Sequence, residues 1–521
     1  MSIRIITEPL GGTALSRLMQ GGDAPAAWRT PAPADPAGWR DRATHRLASA
    51  NWPAIVGSLR PAFAAHGTAA ERLERVISGG GVVVTTGQQP GLFGGPVYTW
   101  SKAVGALALA DALEQATGIP TVAVYWAATD DADFAEASGT VVGCTGGATR
   151  LRAMEAPAAG TPMSLAPVGP LAGVLQQLRD ACGSAADARV LQAVLEAYGD
   201  PTHTMGDAFV ALLRAVLEPL GMPVLDASHP AVHAASRATL DRACRDAADV
   251  ARSVTERSAE ITAAGYTPQV DDVAGASLMF VREGSVKRRL SIAEASTVGE
   301  GGVLTPNVLL RPVVEHAILP TVAYLAGPGE LAYFAQVGAV AQALGLEQPV
   351  ALPRWSCTLV EPAVQQLLER CGATIADLDT PDALETRLAR NALGDGSRIA
   401  LEVMRDTISA LPPAMAPDAR ALGLDGAVQG AMQSLQHRLD RLERRLVAGV
   451  KRLDAARMQD VGTLRGALRP FGIRQERALN LVPMLARHGT GLLREMRDAA
   501  APHVSGLVGA VPRPTAGAGG A

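Results

Sequence analysis

The stretch VVVTTGQQPGLFGGPVYTWSKA, residues 82–103, joins an apolar, β-branched run to an alanine-rich helical pattern through a loop of glycine, proline and glutamine. Residues 82–86 have the continuous apolar character of a strand covered on both faces. Residues 97–115 carry a helix. In the loop between them, Thr86, Gly87, Gln88 and Gln89 offer hydroxyl, backbone and amide groups, and Gly91, Gly94 and Gly95 permit close approach to the backbone. The helix N-terminus just beyond favours an anion, and Ser101 and Lys102 lie in its opening turns, within reach of a phosphate or carboxylate. A lysine and two amides in apolar surroundings are costly unless they are paired, which weighs against a plain glycine-rich connection. The loop matches neither a Walker A sequence nor GxGxxG.

Outward from this point, apolar runs alternate with helical patterns. TVAVYWAA (121–128) and MPVLDAS (222–228) read as strands, with GDAFVALLRAVLEPLG (206–221) as a helix between them. LPTVAYLAGPGE (319–330) reads as strand and turn, LAYFAQVGAVAQALG (331–345) as helix, and QPVALPR (348–354) as a last short strand. Such alternation signals an α/β fold, a Rossmann-like doubly wound parallel sheet. The gaps at about 141–205 and 235–300 are too long for plain crossovers and are read as two insertions; GYTPQVDD and MFVREGSVKRRLSI suggest small β-rich pieces.

Ligands in open α/β sheets bind at the carboxyl ends of strands. Two more loops hold that position. One is acidic, with Asp130, Asp131, Asp133 and Glu136; these suit an amine, a ribose, Mg2+ or a proton-accepting role, or serve only as a helix start. The other is AGPGELAYFAQ, where Gly329 and Glu330 begin a helix and Tyr333 follows; Glu330 as a mere cap and Tyr333 as mere core are the plain alternatives. Arg311 and Arg354 are cations flanked by apolar residues, a setting in which a guanidinium is paired with a carboxylate of the protein or of a ligand. His229 and His233 are read as a surface turn, and Cys357 as core.

The chain has 521 residues, which implies two or three domains. Its net charge of −4 and 4% aromatic content argue against nucleic-acid partners. No run of about 18 apolar residues suggests a membrane span, and MSIRIITEPLGG lacks the apolar core of a signal peptide. Five scattered cysteines without CxxC fit a cytoplasmic location, with no disulfide framework and no metal site.

The C-terminal third differs. Met432, Leu435, Leu439, Leu442, Leu446, Gly449, Leu453 and Ala456 keep 3-4 spacing, the seam of an α-helical coiled coil. A second long helix is read around 471–498, with Pro470 and Pro483 bounding or kinking its parts. The seam can meet that helix, residues 382–410 or another chain, and a homodimer is expected. The organisation expected is therefore a Rossmann-like core over 1–375, a coiled-coil domain over 376–505 and a disordered tail over 506–521.

Taken together, TGQQxGLxxGPxYTxxK (86–102), VAVYWAATDDADFAE (122–136), GPGExAYxAQ (327–336) and ALPRWSCTLVE (351–361) resemble the BshC family, the cysteine ligases of bacillithiol biosynthesis. The resemblance implies a core similar to class I nucleotidyl-transferases and aminoacyl-tRNA synthetases, followed by a coiled coil. It also implies an ATP-dependent amide bond between cysteine and the sugar amine of glucosaminyl-malate, with or without Mg2+ and with no stable prosthetic group. Under it, Lys102 and Arg354 are candidates to meet phosphates, and Asp131 or Asp133 to take the amine's proton. The family commonly shows Asp-His-Asp in the acidic loop; here Ala132 stands in place of the histidine. That departure keeps two alternatives open: a non-catalytic nucleotide- or thiol-binding coiled-coil protein, and a ligase with another amine acceptor.

Overall fold

In the computed structural model, described for residues 2–49, 52–153, 156–184, 187–298 and 302–509, the apolar run forms strand β1 (Val82–Gln88), buried through Gly87. Helix α1 (Val97–Thr117) follows and is buried almost all round through Ala110, where it is rich in alanine and leucine; Asp111, Glu114 and Gln115 give only its last turns a polar side. Strand β2 (Thr121–Ala127) lies parallel to β1, Val82 opposite Thr121 and Gln88 opposite Ala127. Gly87 faces Trp126 across this pair, and a Cβ there would sit 2.5 Å from Trp126 O, so only glycine ends the strand in this way. Strand β3 (Val224–Asp226) extends the sheet beyond β2.

The chain then leaves the sheet. Helices α2 (Pro230–Arg245) and α3 (Ala247–Ala263) lead into an antiparallel sheet of β4 (Ala276–Glu283), β5 (Val286–Ser291) and β6 (Val303–Pro306), with β4 in the middle. Helix α4 (Arg311–Ile318) returns it to β7 (Thr321–Ala326), which pairs with the free side of β1. Helix α5 (Pro328–Ala343) and strand β8 (Ala351–Pro353) finish the five-stranded sheet, ordered β8-β7-β1-β2-β3 and parallel throughout. The strand order reverses between β1 and β7, which makes the carboxyl ends of those two strands the topological switch point. The β-rich reading of the second insertion holds for 276–306, after two helices. The first insertion is mainly helical, with Ala172–Cys182 and Ala188–Tyr198 following a hairpin.

Contacts divide the chain into two compact units. One comprises Ile5–Val142, Arg150–Leu359 and the chain from Glu476 onward; the other holds Val360–Gln475, the hairpin tip Gly143–Thr149 and the first residues to Arg4. In the second unit, helices α6 (Ala383–Asn391), α7 (Asp395–Leu422) and α8 (Asp425–Leu453) pack together, α7 continuing through three prolines. The α8 stripe buried against them is Leu439, Glu443 and Val447, while Leu435 and Leu442 of the expected seam are exposed. Glu443 enters the interior because Arg390 and Arg405 both bind its carboxylate, at 2.6 and 2.5 Å.

The helix read over 471–498 is not continuous. Short turns at Pro470–Gly472, Gln475–Ala478 and Val482–His488 precede helix α9 (Gly491–Val508). Proline at the first turn of two of these pieces and the positive φ of Gly489 (φ 81°, ψ 166°) explain the breaks. Helix α9 packs along α1; Leu493, Met496, Ala500 and Val504 are among its buried residues, and Arg497 pairs with Asp111. Of the expected tail, 506–509 close this helix and its cap, and 510–521 lie outside the described residues.

Away from the switch point, Arg46 donates to His316 O (2.7 Å) and Leu319 O (3.3 Å) and pairs with Glu347 (3.2 Å). Burial pushes the His316 imidazole down to about 4 against the pull of Glu347, with Arg46 and Arg42 adding to the fall. The unfolded chain therefore takes up a proton between about pH 6.5 and 4 that the folded chain refuses. Stability is full above pH 6.5 and falls by about 3 kcal/mol as pH drops through this window. Urea unfolding of wild type and His316→Gln between pH 7.5 and 4 checks this; the variant loses that part of the slope.

Candidate active site

A cavity of about 710 Å3 opens at the switch point. The loops after β1, β2 and β7 all contribute to it. Of the residues singled out from the sequence, Gly87, Gln88, Gln89, Lys102, Asp130, Asp131, Asp133, Glu136, Arg311, Gly329, Glu330, Tyr333 and Arg354 line it, as does Ala132. Thr86 and Ser101 do not. The Thr86 hydroxyl is spent between strands, donating to Leu325 O at 2.9 Å, and the Ser101 hydroxyl donates to Tyr98 O at 3.2 Å.

At the N-terminus of α1, where the sequence suggests an anion, two of the three opening N–H groups are taken by backbone carbonyls. Val97 N–H donates to Leu479 O (2.8 Å) and Thr99 N–H to Pro96 O (2.9 Å). Buried Asn480 seals the same loop: its amide lies 3.0–3.2 Å from Leu92 O, Phe93 O, Gly95 O and Thr140 Oγ1. The loop needs that grip because Phe93 and Gly94 both take positive φ, 54° and 83°.

Lys102 is the centre of the floor. Its side chain is only 2% exposed, and Nζ donates to Gly87 O (2.5 Å), Glu330 Oε2 (2.6 Å) and Gln88 Oε1 (3.3 Å). Glu330 Oε2 also caps its helix through Gly327 N–H (2.6 Å), and Glu330 Oε1 accepts from Tyr324 OH (2.5 Å). The Arg311 guanidinium donates to both Tyr324 OH and Tyr333 OH at 3.2 Å and pairs with buried Glu315 at 2.8 Å. The order Lys102, Glu330, Arg311, Glu315 alternates in sign. Burial draws the Lys102 pKa below its ordinary value, with Glu330 opposing. Burial acts to raise Glu330 but is outweighed by Lys102, Tyr324 and Gly327 N–H, so this carboxyl stays below the usual range.

Arg354 is likewise closed. It binds Glu476 through two nitrogens, at 2.7 and 2.8 Å, donates to Trp355 O at 2.9 Å, and lies 5.8 Å from the Tyr98 ring. A partner 122 residues away is invisible to local pattern, as is its neighbour Arg477, which lines the cavity.

The acidic loop is held rigidly. Thr129 Oγ1 binds Asp226, Met163 N–H reaches Asp131 O (2.8 Å), Ser164 N–H reaches Thr129 O (2.9 Å) and Lys287 Nζ reaches Asp130 O (2.5 Å). Asp131 Oδ1 accepts Asp133 N–H at 2.7 Å. Burial raises the Asp131 carboxyl, and repulsion from Asp130 and Asp133 adds to it; burial and then Asp133 raise Glu136. These two carboxyls are therefore better proton acceptors than ordinary aspartate and glutamate. Sequence reasoning missed Tyr98, Trp126, Phe280, Lys287, Arg289, Asn307 and Arg477. The cations of β5 were in view as part of VKRRL, but only strand alternation tells which of them face the cavity. Among the described residues no cluster of His, Cys, Asp or Glu could hold a metal, and no helix is long and apolar enough to cross a membrane.

A parallel sheet with a charged, enclosed crevice at its switch point defines a Rossmann-like protein built to hold small polar molecules. The family model described as "Bacillithiol biosynthesis BshC, N-terminal Rossmann-like domain" matches residues 41–300 and 294–355, and "Bacillithiol biosynthesis BshC, C-terminal coiled-coil domain" matches 357–506. The chain belongs to the BshC family. It is 31% identical over 448 residues to a protein of Solibacter usitatus, covering 82% of this chain and 84% of the relative. A Koribacter versatilis protein is 32% identical over 455 residues (82% and 83%), and one of Salinibacter ruber 29% over 466 (80% and 80%). All three carry the name "Putative cysteine ligase BshC".

Removing one partner of the buried pair strands the other charge. Glu330→Gln is expected to destabilise the protein by about 3–5 kcal/mol. The double variant Lys102→Met/Glu330→Gln recovers part of that loss; chemical denaturation of the three proteins measures it.

Proposed function

We propose that this chain is an ATP-dependent cysteine ligase that joins the cysteine carboxyl to the sugar amine of glucosaminyl-malate, the last step of bacillithiol formation, in the cytoplasm. The observation that carries the reading is the pairing, in one cavity, of carboxyls with raised proton affinity and a cationic wall. An amine attacks only when neutral. Asp131, rigidly held and raised, takes its proton as the C–N bond forms, and Glu136 is the second acceptor. Holding amine and carboxyl together in a cavity of this size supplies further acceleration.

ATP fits what the site offers. The volume lies within the roughly 300–1,000 Å3 of small-molecule sites, and a side chain at Gly329 would meet nothing within 4 Å, which leaves room over the turn. Lys102 and Arg354 are neutralised by Glu330 and Glu476, so a ligand's negative charge falls to Lys287, Arg289 and Arg477 among the described lining residues. When bound, ATP supplies activation of the unreactive carboxylate. The family's Asp-His-Asp histidine is Ala132 here, on the cavity wall. This favours carboxylate over imidazole as base, and it also supports the alternative of a binding protein without turnover. The homodimer belongs to the same proposal, supported by exposed Leu435 and Leu442 on α8.

Incubating the protein with cysteine, glucosaminyl-malate and ATP is expected to yield bacillithiol by mass spectrometry, with AMP or ADP reporting how the carboxyl was activated. Asp131→Asn is expected to lower kcat by about 100-fold or more while leaving the unfolding midpoint within a few degrees. Absence of product with retained ATP binding selects the binding-protein reading. Sedimentation of Leu435→Asp/Leu442→Asp against wild type tests the dimer, which the variant should lose.

A further inference from the structure

The inserted sheet has two unlike faces. Strand alternation puts Met279, Val281 and Leu290 on one side, where they are buried in the core cluster that includes Val250, Val254 and Ile261 of α3. The residues between them fall on the other side. Phe280 is directly opposite Arg289 and Arg282 is opposite Lys287, so one face carries an aromatic ring ringed by three cations. Phe280, Lys287 and Arg289 line the cavity. Lys287 Nζ lies 4.9 Å from the centre of the Phe280 ring, and the Arg289 Nε donates to Ser277 O at 2.8 Å. These contacts fix both side chains without neutralising them: among the described residues neither forms an ion pair with a carboxylate, whereas Lys102, Arg311 and Arg354 each do. Burial also disfavours the charged form of Arg289 and the Asp272 carboxylate only partly offsets it, a remaining cost that a bound anion would relieve.

We infer that this face of the inserted sheet is the anion subsite of the cavity, with Lys287 and Arg289 gripping a pair of anionic oxygens against Phe280. The inference deepens the ligase proposal and rests on it for the identity of the ligand: the oxygens belong either to the two carboxylates of the malyl group or to the phosphates of the nucleotide. The three buried pairs set the site's shape, and the insertion supplies cations that no ion pair holds among the described residues. The acidic loop is tied to the same strand through Lys287 Nζ and Asp130 O, which sets the carboxyls beside this anion subsite.

The test is calorimetric titration of the whole protein with L-malate and, separately, with pyrophosphate. Wild type is compared with Lys287→Gln, Arg289→Gln and Lys287→Arg. At low salt one of the two anions should bind wild type and lose at least tenfold in affinity in each glutamine variant, with Lys287→Arg restoring most of it. Malate dependence assigns the subsite to the acceptor, and pyrophosphate dependence assigns it to the nucleotide. Binding of neither anion, or affinities unchanged in the glutamine variants, overturns the inference. The measurement needs no turnover. A protein that binds the anion through these residues but makes no product keeps the subsite and loses the ligase reading. One that makes product with an unchanged KM for both glucosaminyl-malate and ATP in the glutamine variants does the reverse.

Discussion

The ion pair between Lys102 and Glu330 is the constraint on which the active-site end of the sheet depends. Taking an ammonium and a carboxylate out of water costs several kcal/mol each, so neither tolerates the loss of the other. The pair ties helix α1, which follows β1, to the first turn of α5, which follows β7, the two strands that flank the switch point. It does not stand alone. Tyr324 and Arg311 extend it to Glu315, and the four charges cancel within the chain of contacts. A neutral, fully hydrogen-bonded network can remain buried, and here it forms a rigid floor.

From that floor follows a division of labour between cations. Lys102, Arg311 and Arg354 are structural in their contacts, each matched to a protein carboxylate that fixes its position. Their field still reaches the cavity they line. The cations without such partners sit on the inserted sheet and on the segment after Gln475, parts of the chain outside the parallel sheet. The Rossmann-like frame thus supplies position, and peripheral segments supply the charge that meets a ligand.

Much of this was legible in the sequence, for a physical reason. Strands covered on both faces must be continuously apolar, and 82–86, 121–128 and 319–326 are. The loops at their carboxyl ends hold glycine and polar residues that no core would keep, so Gln88, Asp131 and Glu330 stood out. What was hidden depended on distance or on a second use of a residue. Lys102 and Glu330 were both visible, but 228 residues separate them and nothing local marks them as partners. Glu476 and Asn480 lie in a stretch whose helical pattern masked its three breaks. Lys287 looked like any surface charge in a basic strand until the pleat showed which side it takes. The coiled-coil seam was read by apolar spacing, whereas α8 buries a glutamate because two arginines meet it.

The placement of α9 on α1 bears on the order of assembly. Helix α1 carries Lys102 and is apolar over most of its length, yet one of its flanks packs against a helix whose Arg497 lies 386 positions after its partner Asp111. On the ribosome, the nascent sheet therefore waits with an apolar helix uncovered while the whole Val360–Gln475 unit is synthesised. The same placement means that a chain stopped short of Leu493 would leave the sheet strands in place but α1 exposed on that flank, a protein prone to associate through the element that holds its own lysine.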